Sequence, residues 1–344
     1  MKIDRVTLPI ASARSAMCIA AFIFAGCGAA GVNQVGPTED LDSTISFDDE
    51  ASDRLPRSAL VRRAEAALGS GEGAQAQSLF EEAIQANSED LRALLGLGLA
   101  FEMQEDLSRA EATYRQALLV DPAFADALNN LGLLLRDRGE FTGAVQSFRA
   151  AVSADPDRTE AYANLALTLD DAEAPPEQVR QAYDLAIQRS PRDATLRANL
   201  GLYLLRVGEV ETGADELRRA LPLARENPVA LLAIGNGLRR AGRYPDAVEA
   251  MTRAVQAHPQ GGTPALYAEL TLAHMAARDG AAAEASAGRA IELDPSYALA
   301  HFLLGRILLA RNACAEATTA MREYLRLEPQ GDHAAAARGS LRCR

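Results

Sequence analysis

The sequence predicts an all-α solenoid, and three observations carry that prediction. Apolar residues keep helical spacing almost without a break from Leu60 to the end of the 344-residue chain, and nowhere alternate as strand residues do. Prolines recur at Pro122, Pro156, Pro191, Pro259, Pro295 and Pro329, separated by 34, 35, 68, 36 and 34 residues. Small residues return at fixed places within that period. A period near thirty-four is the mark of stacked helical pairs, each of which buries its apolar face only against its neighbours.

The segment before the repeats reads as an address and a tether. Lys2, Arg5 and Arg14 make a positive start, and Ser15 to Gly26 is an uncharged, mostly apolar stretch of 12 residues, the length of a signal-peptide core. It ends Phe24-Ala25-Gly26-Cys27. Small residues before a cysteine resemble the lipobox of bacterial lipoproteins. In that family the cysteine sulfur takes a diacylglycerol and the chain is cut just before it, so the resemblance implies a signal peptide over 1–26 and lipidation of Cys27. Phe24 stands where the family usually has leucine. Two other readings stay open: an uncleaved anchor helix in the 22 uncharged residues from Ser15 to Gly36, and a plain secretory signal. Gly28 after the cysteine, in place of aspartate, points by the same resemblance to the periplasmic face of the outer membrane. Residues 27–56 are rich in Asp, Glu, Ser, Thr and Gly and poor in large apolar residues, an acidic flexible tether.

From residue 57 the period divides the chain into eight units: 57–90, 91–124, 125–158, 159–193, 194–227, 228–263, 264–297 and 298–331. With Leu91 as position 1, one unit reads Leu94, Leu97-Gly98, Phe101, Ala110, Tyr114, Ala117 and Pro122, and the next reads Leu128, Leu131-Gly132, Leu135, Ala144, Phe148, Ala151 and Pro156. This resembles the tetratricopeptide repeat, which has large residues at positions 4, 7, 11 and 24 and small ones at 8, 20 and 27. The resemblance implies a right-handed superhelix of helical pairs. Position 8 holds Ala64, Gly98, Gly132, Ala166, Gly201, Gly235, Thr271 and Gly305, and position 27 holds alanine until Tyr324. Small residues there let two antiparallel helices approach, and proline at position 32 ends the second helix because it has no amide hydrogen and clashes with the preceding turn. Extra residues fall at Ala174-Pro175-Pro176 and near Gly261-Gly262, both loop positions. Residues 332–344 form a C-terminal capping helix that plays the part of a ninth first helix.

Composition and motifs point away from catalysis. A net charge of −12 is unsuited to non-specific nucleic-acid binding. The four histidines are scattered, and no HExxH, Cys-x-x-Cys, GxxxxGK[ST] or GxSxG occurs, so no metal, cofactor or enzyme is expected. The glycine-rich run Gly69-Ser70-Gly71-Glu72-Gly73 reads as a turn between two helices. With Cys18 in the signal and Cys27 at the lipid site, Cys314 and Cys343 remain. Cys314 falls at the start of the last second helix and Cys343 near the end of the closing helix. Antiparallel packing brings those two ends together, so a disulfide is expected in an oxidising compartment, two unpaired thiols being the alternative.

In similar solenoids, first-helix positions 2, 5, 6, 9, 12 and 13 face an inner groove. Position 6 is Asn130, Asn164 and Asn199 in three successive units, with Asn129 at position 5 and Asn236 at position 9. Amides offer both donors and acceptors, so this ladder would pair with the main chain of an extended peptide. Asparagine is also common at position 6 of the repeat in general. Arg136, Arg206, Arg239 and Arg240 at positions 12 and 13 would favour an acidic segment, or else merely suit the carboxyl ends of their helices. The lysine–arginine clamp of cytosolic chaperone adaptors has no counterpart, since Lys2 is the one lysine in the sequence. The expected function is a non-catalytic scaffold, lipid-anchored in the cell envelope and binding a protein partner. The resemblance places it near pilus-assembly lipoproteins of the type IV or tight-adherence kind, with secretins or pilus subunits as partners. An adaptor of envelope enzymes, such as peptidoglycan-modifying complexes, is the alternative.

Overall fold

The computed structural model describes residues 59–343. The signal, Cys27 and the acidic tether therefore lie outside the described residues. Among the described residues there are seventeen α-helices and no strand. One compact unit ends at Arg189 and a second begins at Ser190.

In the first unit the pairs are α1 (Ala59–Gly69) with α2 (Gly73–Ala86), α3 (Leu91–Met103) with α4 (Leu107–Val120), α5 (Ala125–Asp137) with α6 (Phe141–Ala154), and α7 (Thr159–Asp171) with α8 (Pro176–Arg189). The second unit holds α9 (Ala194–Arg206) with α10 (Val210–Ala220), α11 (Pro228–Arg240) with α12 (Tyr244–Ala257), α13 (Pro264–Ala276) with α14 (Gly280–Leu293), and α15 (Ala298–Ala310) with α16 (Cys314–Leu327), closed by α17 (Ala334–Ser340).

Each pair is held at its centre by one close contact. A Cβ added to Gly98 would lie 2.3 Å from the Tyr114 ring, one on Gly132 2.7 Å from Phe148, and one on Gly305 2.8 Å from Met321. Position 8 is therefore small because position 24 is large and fully buried, and enlarging it would overpack the seam. The seventh unit reverses the sizes: Thr271 stands at position 8 and Ala287 at position 24, both wholly buried. The second helices stop where the prolines demand. Val120, Ala154, Arg189, Ala257, Leu293 and Leu327 each precede a proline by two residues. Of the two repeats without that proline, the one with Ser88 keeps a 14-residue second helix, and the one with Arg225 ends early. Pro222 cuts α10 to 11 residues, and Leu221 and Ala224 continue the apolar face through a run of turns.

The turn inside each pair follows one design that the repeat pattern had not marked. Position 15 is left-handed in all eight units: Gly71, Gly139, Gly208 and Gly242, but also Glu105, Glu173, Arg278 and Asn312, with φ between 54 and 91°. The next residue's N–H donates back to a carbonyl five residues earlier, as Glu140 N to Leu135 O at 2.8 Å and Asp279 N to His274 O at 2.9 Å. These are the bonds that end a helix on a left-handed residue, and they satisfy its last carbonyls.

The closing helix needs different chemistry. It is only seven residues long and buries Ala334 and Ala337. Tyr324, where seven units have alanine, fills the remaining space beside it. Its ring centroid lies 5.4 Å from that of Phe302, and His333 stacks on Phe302 at 4.3 Å with an interplanar angle of 5°. The His333 N–H donates to Tyr324 Oη at 3.1 Å.

Candidate functional site

Within each unit consecutive first helices lie side by side, α1 against α3 and α5 against α7 in the first unit, α9, α11, α13 and α15 in the second. They form the layer on which a ligand-facing surface would be built, so the inner positions can be followed residue by residue.

In the first unit several of those positions are engaged by partners from the neighbouring repeat. Arg92 at position 2 is 3% exposed and is paired with Glu65 of the preceding unit. Asn129 and Asn164 are 8% and 4% exposed, and Asn164 Nδ2 donates to Asn129 Oδ1 at 3.0 Å. Arg136 Nε meets Asp171 Oδ2 at 2.7 Å, one repeat further on. Asn130 is half-buried. Below Asn164, Thr168 Oγ1 donates to its carbonyl at 2.6 Å.

These facts correct the asparagine ladder. At Asn164 the position-6 amide is buried at the seam with the preceding first helix and bonds to Asn129 at position 5 of that repeat. Asn199, in the second unit, is likewise buried, at 1% exposure. Asn129, Asn164 and Asn199 thus do not present amides to solvent. Arg136 is paired with Asp171 and keeps 21% of its side-chain surface.

The second unit keeps more open polar chemistry. Asn236 and Arg239 sit one turn apart on α11, and Arg239 Nη2 donates to Asn236 Oδ1 at 3.2 Å. The same Nη2 lies 3.8 Å from Glu269 Oε2 on α13, too far for a hydrogen bond. Burial pushes the Glu269 carboxyl up from its ordinary value, opposed by the Arg239 charge and a hydrogen bond from Asn236. Burial, then the carboxylates of Glu269, Glu328 and Asp294, raises the Tyr297 phenol. Arg206 lies with its guanidinium carbon 5.3 Å from the Tyr203 ring, and Arg240 is exposed. Glu65, Arg92, Asp171, Glu269 and Tyr297 carry no family signature. For the charged ones the trace in the sequence is opposite charge about one repeat away, as in Arg136 with Asp171.

At the C-terminal end Cys314 opens α16 and Cys343 follows α17. Their Cα atoms are 5.5 Å apart and their sulfurs are bonded. Among the described residues no three His, Cys, Asp or Glu side chains are grouped to hold a metal ion, and no helix is long and apolar enough to cross a membrane.

The comparisons agree with this architecture. A family model described as tetratricopeptide repeat matches residues 61–127, 104–159, 129–194, 198–262 and 269–338. The chain belongs to the tetratricopeptide repeat family. Among solved structures it is similar to yeast Tom70, at 16% identity and a TM-score of 0.51, covering 88% of this chain and 66% of that one. It is also similar to PilF of Pseudomonas aeruginosa, at 21% identity and a TM-score of 0.49, covering 61% and 94%. MamA gives 18% identity and a TM-score of 0.44, covering 48% and 95%. No curated protein matches. The family's fold defines a scaffold for protein–protein interaction, and its members are generally non-catalytic.

Proposed function

We propose that this protein is a lipid-anchored scaffold of the bacterial cell envelope, held by Cys27 and binding an assembly component along its first-helix layer. The observation that carries the anchor is the uncharged stretch ending Phe24-Ala25-Gly26-Cys27 ahead of an acidic tether and a repeat array. A chain destined for an oxidising compartment would keep Cys314 and Cys343 bonded, and the position of those cysteines supports the reading. Resemblance to pilus-assembly lipoproteins makes a secretin or pilus subunit the partner of choice, with the protein at the periplasmic face of the outer membrane. The array supplies a surface of fixed geometry and the tether supplies reach.

Fatty-acid labelling of cells tests the anchor. Wild type takes up the label and fractionates with membranes, while Cys27→Ser is unlabelled and is either soluble or retained as precursor. An unlabelled wild type overturns the anchor. Crosslinking with the anchor intact, followed by capture, tests the partner. Recovery of secretin or pilus subunits supports the reading, and recovery of cell-wall enzymes in their place overturns it.

A further inference from the structure

The arginines of the second unit were expected to draw an acidic segment, but their surroundings say otherwise. Arg239 does not stand alone. Glu269 faces it from the next first helix, Asn236 hydrogen-bonds to both, and the Tyr297 phenol lies within electrostatic reach of the same carboxylate. A ligand carboxylate approaching Arg239 would meet Glu269 at the same time, and like charges brought together on one surface repel.

The pair is also incompletely bonded. Arg239 Nε and Glu269 Oε2 are both buried without a hydrogen-bond partner. The two side chains nevertheless retain 29% and 33% of their surface, so the pair borders solvent, and rotation about the terminal torsions is the motion that would present these atoms to a ligand. One group left with a spare donor and its neighbour with a spare acceptor match a single amide, which accepts through its oxygen and donates through its nitrogen. A carboxylate can satisfy only the arginine, and an ammonium only the glutamate. Groups left unsatisfied in the free protein gain most from a ligand that satisfies both.

We propose that Asn236, Arg239 and Glu269 form a subsite for an uncharged amide of a bound peptide, main-chain or carboxamide, and that Glu269 turns this surface away from acidic segments. The proposal rests on the reading of the first-helix layer as a peptide-binding surface, and it assigns that surface its charge preference.

The test uses detergent-solubilised full-length protein and a set of synthetic peptides of one length, alike in apolar content and graded in net charge from acidic to basic. Wild type binds neutral peptides about tenfold better than acidic ones, because a peptide carboxylate beside Arg239 meets the Glu269 charge as well. Glu269→Gln, which keeps the shape and removes the charge, loses most of that discrimination and gains affinity for acidic peptides. Asn236→Ala weakens neutral peptides and leaves the ranking by charge intact, which keeps the idea testable should the glutamine variant fold poorly by circular dichroism. Wild type that prefers acidic peptides, or a Glu269→Gln protein that folds and ranks peptides as wild type does, overturns the subsite while leaving the peptide surface standing. Failure to bind a peptide of any charge overturns both.

Discussion

Truncating the buried amide pair separates a structural role from a binding one. In Asn164→Ala the carbonyl oxygen of Asn129, 8% exposed, loses the donor that stood 3.0 Å away. A buried acceptor left without its partner costs about 1–3 kcal/mol. Alanine returns roughly 0.5 kcal/mol of helix propensity, so the net loss is about 1–2 kcal/mol. Asn129→Ala strands the Asn164 amide in the same way. In the double variant no orphan remains and only the net worth of one hydrogen bond, about 1 kcal/mol, is lost along with some packing. The two effects should therefore fall short of additivity by about 1 kcal/mol, measured as urea midpoints of all four proteins at constant slope. Partner affinity should be unchanged in each. Strict additivity with negligible loss of stability, or a loss of binding without a loss of stability, would refute the reasoning and return these amides to the ligand.

Other expectations follow from single features. Replacing Glu105 or Arg278 by glycine should raise stability by about 0.5–1 kcal/mol each. Both are exposed and left-handed, at φ 61 and 62°, where a side chain is strained; the same change at a neighbouring right-handed position should destabilise, and thermal melts read the difference. Cys343→Ser should cost roughly 3–4 kcal/mol of cap stability in the chain-entropy model for a separation of 29 residues. Hydrogen exchange should then show α17 and the end of α16 opening while α11 and α12 keep their protection. His274 is held below its ordinary value of 6.5, chiefly by burial, with Asp279 opposing. The folded state therefore binds fewer protons than the unfolded one, and this residue's contribution is present above about pH 6.5 and lost as the pH falls through it. His274→Gln should flatten that part of the stability profile, and an unchanged slope would remove His274 as its source.

The sequence by itself determined the architecture because each rule it obeys is local. A proline at position 32 ends its own helix, and a glycine at position 8 makes room for one neighbour 16 residues on in the same pair, so the period translates directly into packed helices. The register also placed Cys314 beside Cys343, since antiparallel helices put the end of one next to the start of the other. What only the tertiary structure decided was the fate of the polar residues on the first helices. Asn130 and Asn164 share position 6, yet one is half-buried and the other 4% exposed and bonded, because the residue one repeat earlier differs: Asn129 offers Asn164 an acceptor, whereas Leu95 stands at that place before Asn130. Arg136 and Arg239 share position 12, yet Asp171 closes on one at 2.7 Å and Glu269 remains 3.8 Å from the other. A charge or an amide takes its meaning from what faces it across the seam, and that neighbour is set by how two repeats stack, not by either repeat alone. The left-handed turn residue has the same origin. Four units meet its demand with glycine and four with a side chain, so composition hid a backbone constraint that all eight pairs obey.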